Sequence, residues 1–203
     1  MLAIKNSDVV NGIYQGREPR LEDVVIIPAG MRKIIFRGGL DVKGIMSGAD
    51  SLIVCEGPTK MRHAQIGGAI LFTSNVFCGA MESTGLIISQ GDIVSWMGDI
   101  ISKHSSIIAM GEVRSSGKLM ARNGAIVSME GMEAEDKIFS LNTWTPKSGE
   151  PRSGLAEIAF KEAERLIGSV LEKGSDVVPL THDAGDMRGL FELPPIPRRG
   201  TRG

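Results

Sequence analysis

Aliphatic residues recur in short blocks through the middle of the chain. Six seven-residue blocks have an isoleucine at their third position and another aliphatic residue at their fourth. The blocks are RKIIFRG (32–38), SLIVCEG (51–57), GAILFTS (68–74), GLIISQG (85–91), SSIIAMG (105–111) and GAIVSME (124–130). Their starts are separated by 19, 17, 17, 20 and 19 residues. This period indicates a repeat architecture, in which each repeat is one structural unit.

Two more apolar positions recur in the central repeats, with glycine between them. They are Val76, Ile93 and Val113 at the first position, and Met81, Ile100 and Leu119 at the second. Each repeat therefore predicts three short strands separated by corners, where glycine permits tight turns. Stacking equivalent strands of successive repeats gives three parallel sheets around a narrow interior, which is a parallel β-helix.

The repeat length favours a right-handed coil. A left-handed coil of hexapeptides would keep each turn at a multiple of six residues, whereas these repeats vary between 17 and 20. The β-branched runs are short and cut by glycine, which disfavours an all-α fold. We therefore predict an all-β solenoid, a right-handed parallel β-helix of about six rungs, followed by a C-terminal amphipathic helix.

The pattern divides the chain into four segments. Residues 1–31 lack the block and are predicted to cap the coil, with a strand and turn at 23–30 that could form an irregular first rung. Residues 32–131 are predicted to form the β-helix. Residues 132–174 are predicted to be a connector and the amphipathic helix, and residues 175–203 an irregular, partly disordered tail. Within the coil, the polar stretch 58–68 is predicted to be a loop.

Residues 155–173 change to a spacing of three and four, which predicts the helix. Its predicted apolar stripe is Leu155, Ile158, Ala159, Ala163, Leu166, Ile167, Val170 and Leu171. Ser153 is the expected N-cap, Glu157 and Lys161 an expected ion pair, and Gly174 the expected end.

Alternation within the blocks separates an inward row from an outward row. The third-position isoleucines are predicted to face the interior: Ile34, Ile53, Ile70, Ile87, Ile107 and Ile126. The fourth-position residues then form an outward apolar stripe, predicted as an interface: Ile35, Val54, Leu71, Ile88, Ile108 and Val127. A protein rarely leaves such a row exposed. Either the helix of the same chain or the stripe of a second chain could cover it, and the helix length of roughly 28 Å favours the helix.

Charge and hydropathy exclude several function classes. The chain has 23 Lys and Arg against 24 Asp and Glu, so no net positive charge attracts nucleic acid or anionic lipid. No apolar run approaches the roughly 18 residues of a membrane span, and the first residues lack a signal-peptide pattern. We expect a cytoplasmic protein with no nucleic-acid partner and no membrane span.

Few residues suggest chemistry. Cys55 and Cys78 fit neither a disulfide framework nor a zinc site, and we expect two buried thiols. His63 and His104 occupy different positions in their repeats, so we expect separate surface residues.

Two arrangements of polar residues admit a functional alternative. His182 could bind a metal with Asp183 and Asp186, although these residues more simply form a turn. Asp92 and Glu112 share one repeat position, as in β-helix enzymes that cleave polysaccharides. The chain has only nine aromatic residues (six Phe, two Trp and one Tyr), few for stacking on sugars. We predict no catalytic, cofactor-binding or metal-binding residue.

Residues 90–131, with their succession of glycine, acidic residue, aliphatic strand and short corner, resemble the bactofilins. These are bacterial polymer-forming cytoskeletal proteins, and the resemblance covers residues 32–131. It implies a right-handed β-helix that assembles end to end without a nucleotide and acts as a scaffold. The C-terminal helix and the uneven early repeats depart from that pattern, so a capped coil that forms a small oligomer is equally compatible.

These observations predict a non-enzymatic structural or scaffold protein. It would self-associate, as a homo-oligomer or filament, or bind a protein partner through its β-helix. The alternative is a β-helix carbohydrate-active enzyme, either a polysaccharide lyase or a hydrolase.

Overall fold

The chain folds into a parallel β-solenoid of about eight turns, followed by one helix. The computed structural model describes residues 1–146 and 151–171. The predicted fold class is confirmed, with about two more turns than the six predicted. Handedness stays a prediction.

Three parallel sheets form the solenoid. The first contains β3 (Ile13–Tyr14), β5 (Lys33–Phe36), β7 (Leu52–Cys55), β9 (Ala69–Phe72), β11 (Ile87–Ser89), β14 (Ile107–Ala109) and the ends of β16 (Leu119–Ser128) and β18 (Ile138–Trp144). The second contains the starts of β6 (Leu40–Ser47), β8 (Thr59–Ile66) and β10 (Val76–Ser83), then β12 (Ile93–Ser95), β15 (Glu112–Ser115) and β17 (Gly131–Ala134). The third contains β1 (Leu2–Ala3), β4 (Val24–Ile27), the ends of β6, β8 and β10, then β13 (Ile100–Ser102) and the starts of β16 and β18.

Equivalent residues of successive turns stack in register. Ile53 lies between Ile34 and Ile70, and Ile87 lies between Ile70 and Ile107. All six inward isoleucines are at most 1 % exposed and share one interior apolar cluster. The inward prediction is therefore confirmed.

The coil extends beyond both predicted boundaries. In the predicted cap, β4 aligns Val25 with Ile45 of the next turn. In the predicted connector, β17 and β18 continue the sheets, and Thr143 aligns with Ile126. At the first-sheet position these turns lack the isoleucine–aliphatic pair, so the sequence pattern did not include them.

The predicted loop at 58–68 is also wrong, because β8 occupies most of it. Thr59, Met61, Ala64 and Ile66 point inward and are buried, with exposed polar residues between them. Two successive exposed residues, Arg62 and His63, mark the bend from the second sheet to the third. Thr59 and Ala64 are small inward residues, so the sequence did not show the alternation of buried and exposed positions in β8.

Glycine at the corners has two roles. Gly39 and Gly57 adopt φ values of 90° and 93°, as the turn argument predicted. Gly68 and Gly111 do not have positive φ. Instead, a Cβ at Gly68 would meet the backbone oxygen of Ser51, and one at Gly111 would meet the Asp92 carboxylate. Close approach of neighbouring turns requires glycine there.

The helix, α1 (Gly154–Leu171), follows the last turn. The Ser153 Oγ accepts a hydrogen bond from the Ala156 N–H at 3.5 Å, and Lys161 pairs with Glu157 at 2.9 Å. The predicted cap and ion pair are confirmed. Residues 172–203, which include the predicted helix end at Gly174, the tail and the possible metal ligands His182, Asp183 and Asp186, lie outside the described residues.

Candidate assembly interface

The predicted interface stripe is buried within the chain. Its six residues are at most 6 % exposed: Ile35, Val54, Leu71, Ile88, Ile108 and Val127. They belong to one apolar cluster with the buried residues of α1, which are Ala156, Ala159, Phe160, Ala163 and Ile167. The helix of the same chain packs on the end of the stripe at β14 and β16, where Ile108 and Val127 lie.

The buried face of the helix differs from the predicted one at its first turn. Leu155 and Ile158 are 42 % and 64 % exposed, whereas Phe160 is 1 % exposed. The Phe160 ring meets Trp144 edge-on at 6.2 Å, and the Arg152 guanidinium lies 3.9 Å from the Phe160 ring centre. This aromatic contact orients the helix, and the three-and-four spacing alone did not identify it.

For the stripe to contact a second chain, the helix would first have to dissociate from the first sheet. The stripe as an interface between chains therefore stays a prediction, and an exposed surface is the more accessible candidate.

The last turn leaves the interior of the solenoid open at its C-terminal end. Five inward positions of this turn form what we call the end face: Met132, Ala134, Ile138, Ser140 and Thr143. The residues aligned with them one turn earlier are all 0 % exposed: Val113, Ser115, Leu119, Ala121 and Ile126. Ile138, by contrast, is 37 % exposed, and Thr143 is also exposed.

The same turn is also the edge of the sheets within the described residues. Among the described residues, β17 pairs only with β15, and β18 only with β16. Phe139 and Leu141, on the outer side of β18, are 44 % and 61 % exposed. An edge strand with apolar side chains favours pairing with another chain. Sequence reasoning missed the end face, although Met132 and Ile138 each follow an inward residue, Val113 and Leu119, by 19 positions.

The N-terminal end of the solenoid is covered by local structure. β2 (Val9–Val10) pairs antiparallel with β3, and β1 pairs with β4. Ile4 and Val25 are at most 4 % exposed at this end. The two ends of the coil therefore differ in accessibility.

Asp92 and Glu112 are the aligned polar residues that suggested a polysaccharide-cleaving enzyme, and in the structure they lie at a corner of the solenoid that hydrogen bonds stabilise. The Asn75 Oδ1 accepts a hydrogen bond from the Asp92 N–H at 2.9 Å, and the Asp92 Oδ1 accepts one from the Glu112 N–H at 2.6 Å. Burial raises the pKa of Asp92, the hydrogen bond from Glu112 opposes the shift, and the negative charges of Glu130 and Glu112 add to it. The side chains thus link successive turns.

The remaining candidate residues are dispersed. His63 lies on β8 and His104 at a corner, and both are exposed. Cys55 and Cys78 are buried, and burial raises the pKa of each thiol to about 12. Within residues 1–146 and 151–171, no cluster of His, Cys, Asp and Glu could hold a metal ion.

The described part of the chain contains no helix with the length and apolarity needed to cross a membrane. A comparison with protein-family models, one with curated proteins and one with solved structures each found no match.

Proposed function

We propose that this chain is a structural protein that self-associates through the end face. The observation that carries the proposal is the exposure of inward core positions at the last turn, with Ile138 37 % exposed above the fully buried Leu119. A second copy would supply a turn above Ile138, where the described residues contain none.

Two physical terms favour a second copy of the same chain. The end face offers apolar and small side chains, whose burial is favourable by about 25 cal/mol per Å². The edges of β17 and β18 offer backbone donors and acceptors. A two-fold axis across the end face would reverse the strand direction of the second copy, so the edge strands of the two copies would meet antiparallel, which is a regular strand pairing.

The covered N-terminal end limits the size of the assembly. Joining through the end face alone gives a pair of chains, because a filament would also need the end that β1 and β2 occupy. The resemblance of residues 90–131 to the bactofilins supports a self-associating scaffold, and a cytoplasmic location fits it.

The test is sedimentation velocity of the full chain over a range of concentrations. We expect the parent to show a monomer–dimer equilibrium. Ile138→Glu and Thr143→Glu should each raise its dissociation constant by about tenfold or more, equivalent to about 1.4 kcal/mol. Thr143 is exposed and contributes little to the core, so this variant should fold normally.

Met97→Glu is the matched control, because Met97 is 72 % exposed at a corner away from the last turn. It should associate as the parent does. A parent that stays monomeric at high concentration, or end-face variants that associate as well as Met97→Glu, would contradict the proposal.

A further inference from the structure

The second sheet begins one turn later than the other two sheets. In the first turn, β3 lies in the first sheet and β4 in the third, and the residues between them, 15–23, form no strand. The first strand of the second sheet is the start of β6, which pairs with β8 on one side. On its other side, no strand among the described residues pairs with β6 before Gly44, where the pairing with β4 begins.

The backbone of Asp41 is directed toward this unpaired side. The Leu40 N–H donates to the Pro58 oxygen at 3.0 Å, toward β8. Parallel strands direct alternate residues to opposite neighbours, so the Asp41 N–H and C=O point away from β8. A strand edge of this kind favours pairing with another extended segment.

A groove of about 680 Å³ lies along this edge. Its apolar lining includes Tyr14 and Phe36, whose ring centres are 5.4 Å apart, together with Pro19 and Leu40. The groove therefore offers apolar contacts beside a backbone donor and acceptor, which is what an added strand requires.

Internal contacts hold residues 15–23 beside the groove. The Asp23 carboxylate pairs with Arg17 at 2.7 Å and accepts a hydrogen bond from the Arg20 N–H at 3.0 Å. The Tyr14 hydroxyl donates to the Arg17 backbone oxygen at 2.9 Å. Because these contacts form without a ligand, a ligand would meet a preformed groove and would not have to order this segment.

Two carboxylates line the groove without an ion pair among the described residues: Asp41, which points outward from β6, and Glu18, on the facing segment. Lys60 is aligned with Asp41 on the β8 side. A basic side chain on the other side of Asp41 would continue the alternation of charge along this row and would also face Glu18. The nearby Tyr14 ring favours a cation as well.

The pleat of the sheet fixes the rest of the ligand pattern. A residue aligned with Asp41 shares its outward face, and the residues before and after it face inward, as Leu40 and Val42 do. Those inward side chains would meet the apolar lining of the groove, so β-branched apolar residues suit both positions. The matching pattern is apolar, basic, apolar.

We propose that this groove binds an extended peptide of another protein, with the pattern apolar–basic–apolar, as a parallel strand added to β6. The parallel direction continues that of the second sheet, in which all strand pairs are parallel. The Asp41 N–H then donates to the carbonyl before the basic residue, and the Asp41 C=O accepts from the N–H after it. The groove lies far from the last turn, so its binding does not depend on self-association through the end face.

Fluorescence anisotropy of a labelled peptide tests the pattern. The probe is acetyl-Thr-Val-Arg-Val-Thr-amide with a fluorophore at one end, added to the full chain. We expect saturable binding below about 1 mM, and a peptide with Glu in place of Arg should bind about tenfold more weakly or worse. No binding of the Arg peptide, or equal binding of the two peptides, would overturn the proposal.

Methylation of single peptide nitrogens tests the strand pairing. A methyl group on the nitrogen of the valine after the arginine removes the donor to the Asp41 C=O and should weaken binding by about tenfold or more. Methylation of the arginine nitrogen is the matched control, because in a parallel strand this N–H points away from β6. An equal or larger loss with the control peptide would show that the peptide is not a parallel strand beside Asp41.

A charge exchange tests the location. Asp41 is exposed, so Asp41→Lys should fold normally, bind the Arg peptide about tenfold more weakly and bind the Glu peptide more tightly than the parent does. Glu164→Lys makes the same change at an exposed position of α1 and should bind both peptides as the parent does. Unchanged preference in Asp41→Lys, or an equal change in Glu164→Lys, would place the peptide elsewhere.

Thr143→Glu separates this site from the end face. The variant should bind the Arg peptide as tightly as the parent, whether or not the parent forms dimers. Loss of peptide binding in Thr143→Glu would mean that the peptide is held at the end face or between two copies, and would overturn the assignment to this groove.

Discussion

At the scale of single residues, serine closes the corners of this solenoid. Buried serines end six strands: Ser83, Ser89, Ser95, Ser102, Ser115 and Ser128. Each hydroxyl contacts a backbone oxygen of the preceding turn and a backbone N–H two or three residues ahead. A small side chain thus satisfies corner groups that no strand ladder reaches.

Ser95→Ala should lower the free energy of unfolding by about 1–3 kcal/mol. The Ser95 Oγ lies 2.6 Å from both the Gly79 and Gly98 oxygens and accepts a hydrogen bond from the Gly98 N–H, and the side chain is 3 % exposed. Its loss removes a hydrogen bond to one of these oxygens and leaves the Gly98 N–H without this acceptor. Chemical denaturation measures the change. Ser7→Ala, at an exposed serine, is the control. Equal stabilities of the two variants would show that the corner hydroxyl contributes nothing.

Asp92 should make the stability depend on pH. Its folded-state pKa is raised above the unfolded value, so its contribution is fully present below the unfolded pKa of about 3.9 and is lost as pH rises through the folded pKa. Asn75 accepts the equivalent hydrogen bond one turn earlier with an amide. Asp92→Asn should therefore gain stability relative to the parent between pH 3 and pH 7.

Thermal melts at several pH values measure this gain. Asp92→Ala serves as the comparison, because it removes the acceptor of the Glu112 N–H and should be destabilised at every pH. A constant difference between Asp92→Asn and the parent would mean that the buried carboxylate carries no pH-dependent cost.

At the scale of elements, the helix and the first sheet depend on each other. The first sheet places six aliphatic side chains on its outer face, and α1 packs its alanines, Phe160 and Ile167 on the last strands of that sheet, in one apolar cluster with the six. Alanine lets the helix approach the sheet closely, while Phe160 is the largest buried side chain on the described part of the helix.

Phe160→Ala should loosen the helix while the solenoid stays folded. Truncating a buried phenylalanine costs about 3–5 kcal/mol, a large share of what one docked helix can contribute. We expect new binding of an apolar dye and new self-association through the stripe. Ile158→Ala, at a 64 % exposed position of the same helix, should behave as the parent. If Phe160→Ala bound no dye, the contact of Phe160 with Trp144 would not be what holds the helix on the first sheet.

At the scale of the whole molecule, stability is distributed along a stack in which each turn contacts mainly its neighbours. A change at a central turn affects the turns on both sides. The two ends differ, because local strands cover the N-terminal end and the end face is exposed.

Ile87→Asp should abolish the cooperative melt of the solenoid. The side chain is 0 % exposed between Ile70 and Ile107, so the variant loses about 1.5–3 kcal/mol of apolar burial and also buries a carboxylate. Ile101→Asp, in the same turn at an outward, partly exposed position, is the control and should melt close to the parent. A parent-like melt of Ile87→Asp would refute the inward assignment.

The sequence by itself determined the solenoid, the inward isoleucine row, the outward stripe and the helix with its cap. These features are visible because alternation and repeat length act locally: Ile53 predicts its neighbours Ile34 and Ile70 at the spacing of one turn. Tertiary structure decided where the stack begins and ends, since β4 and β18 join the sheets through backbone pairing that tolerates Thr143 in place of isoleucine.

Tertiary structure also decided which surfaces remain accessible. Ile138 and Leu119 have equivalent places in their turns, and only the absence of a following described turn leaves Ile138 exposed. Likewise, the spacing of the helix allowed Leu155 on its buried face, but the contact of Phe160 with Trp144 set the rotation of the helix. Exposure depends on what lies above a residue in space, which a local sequence pattern does not contain.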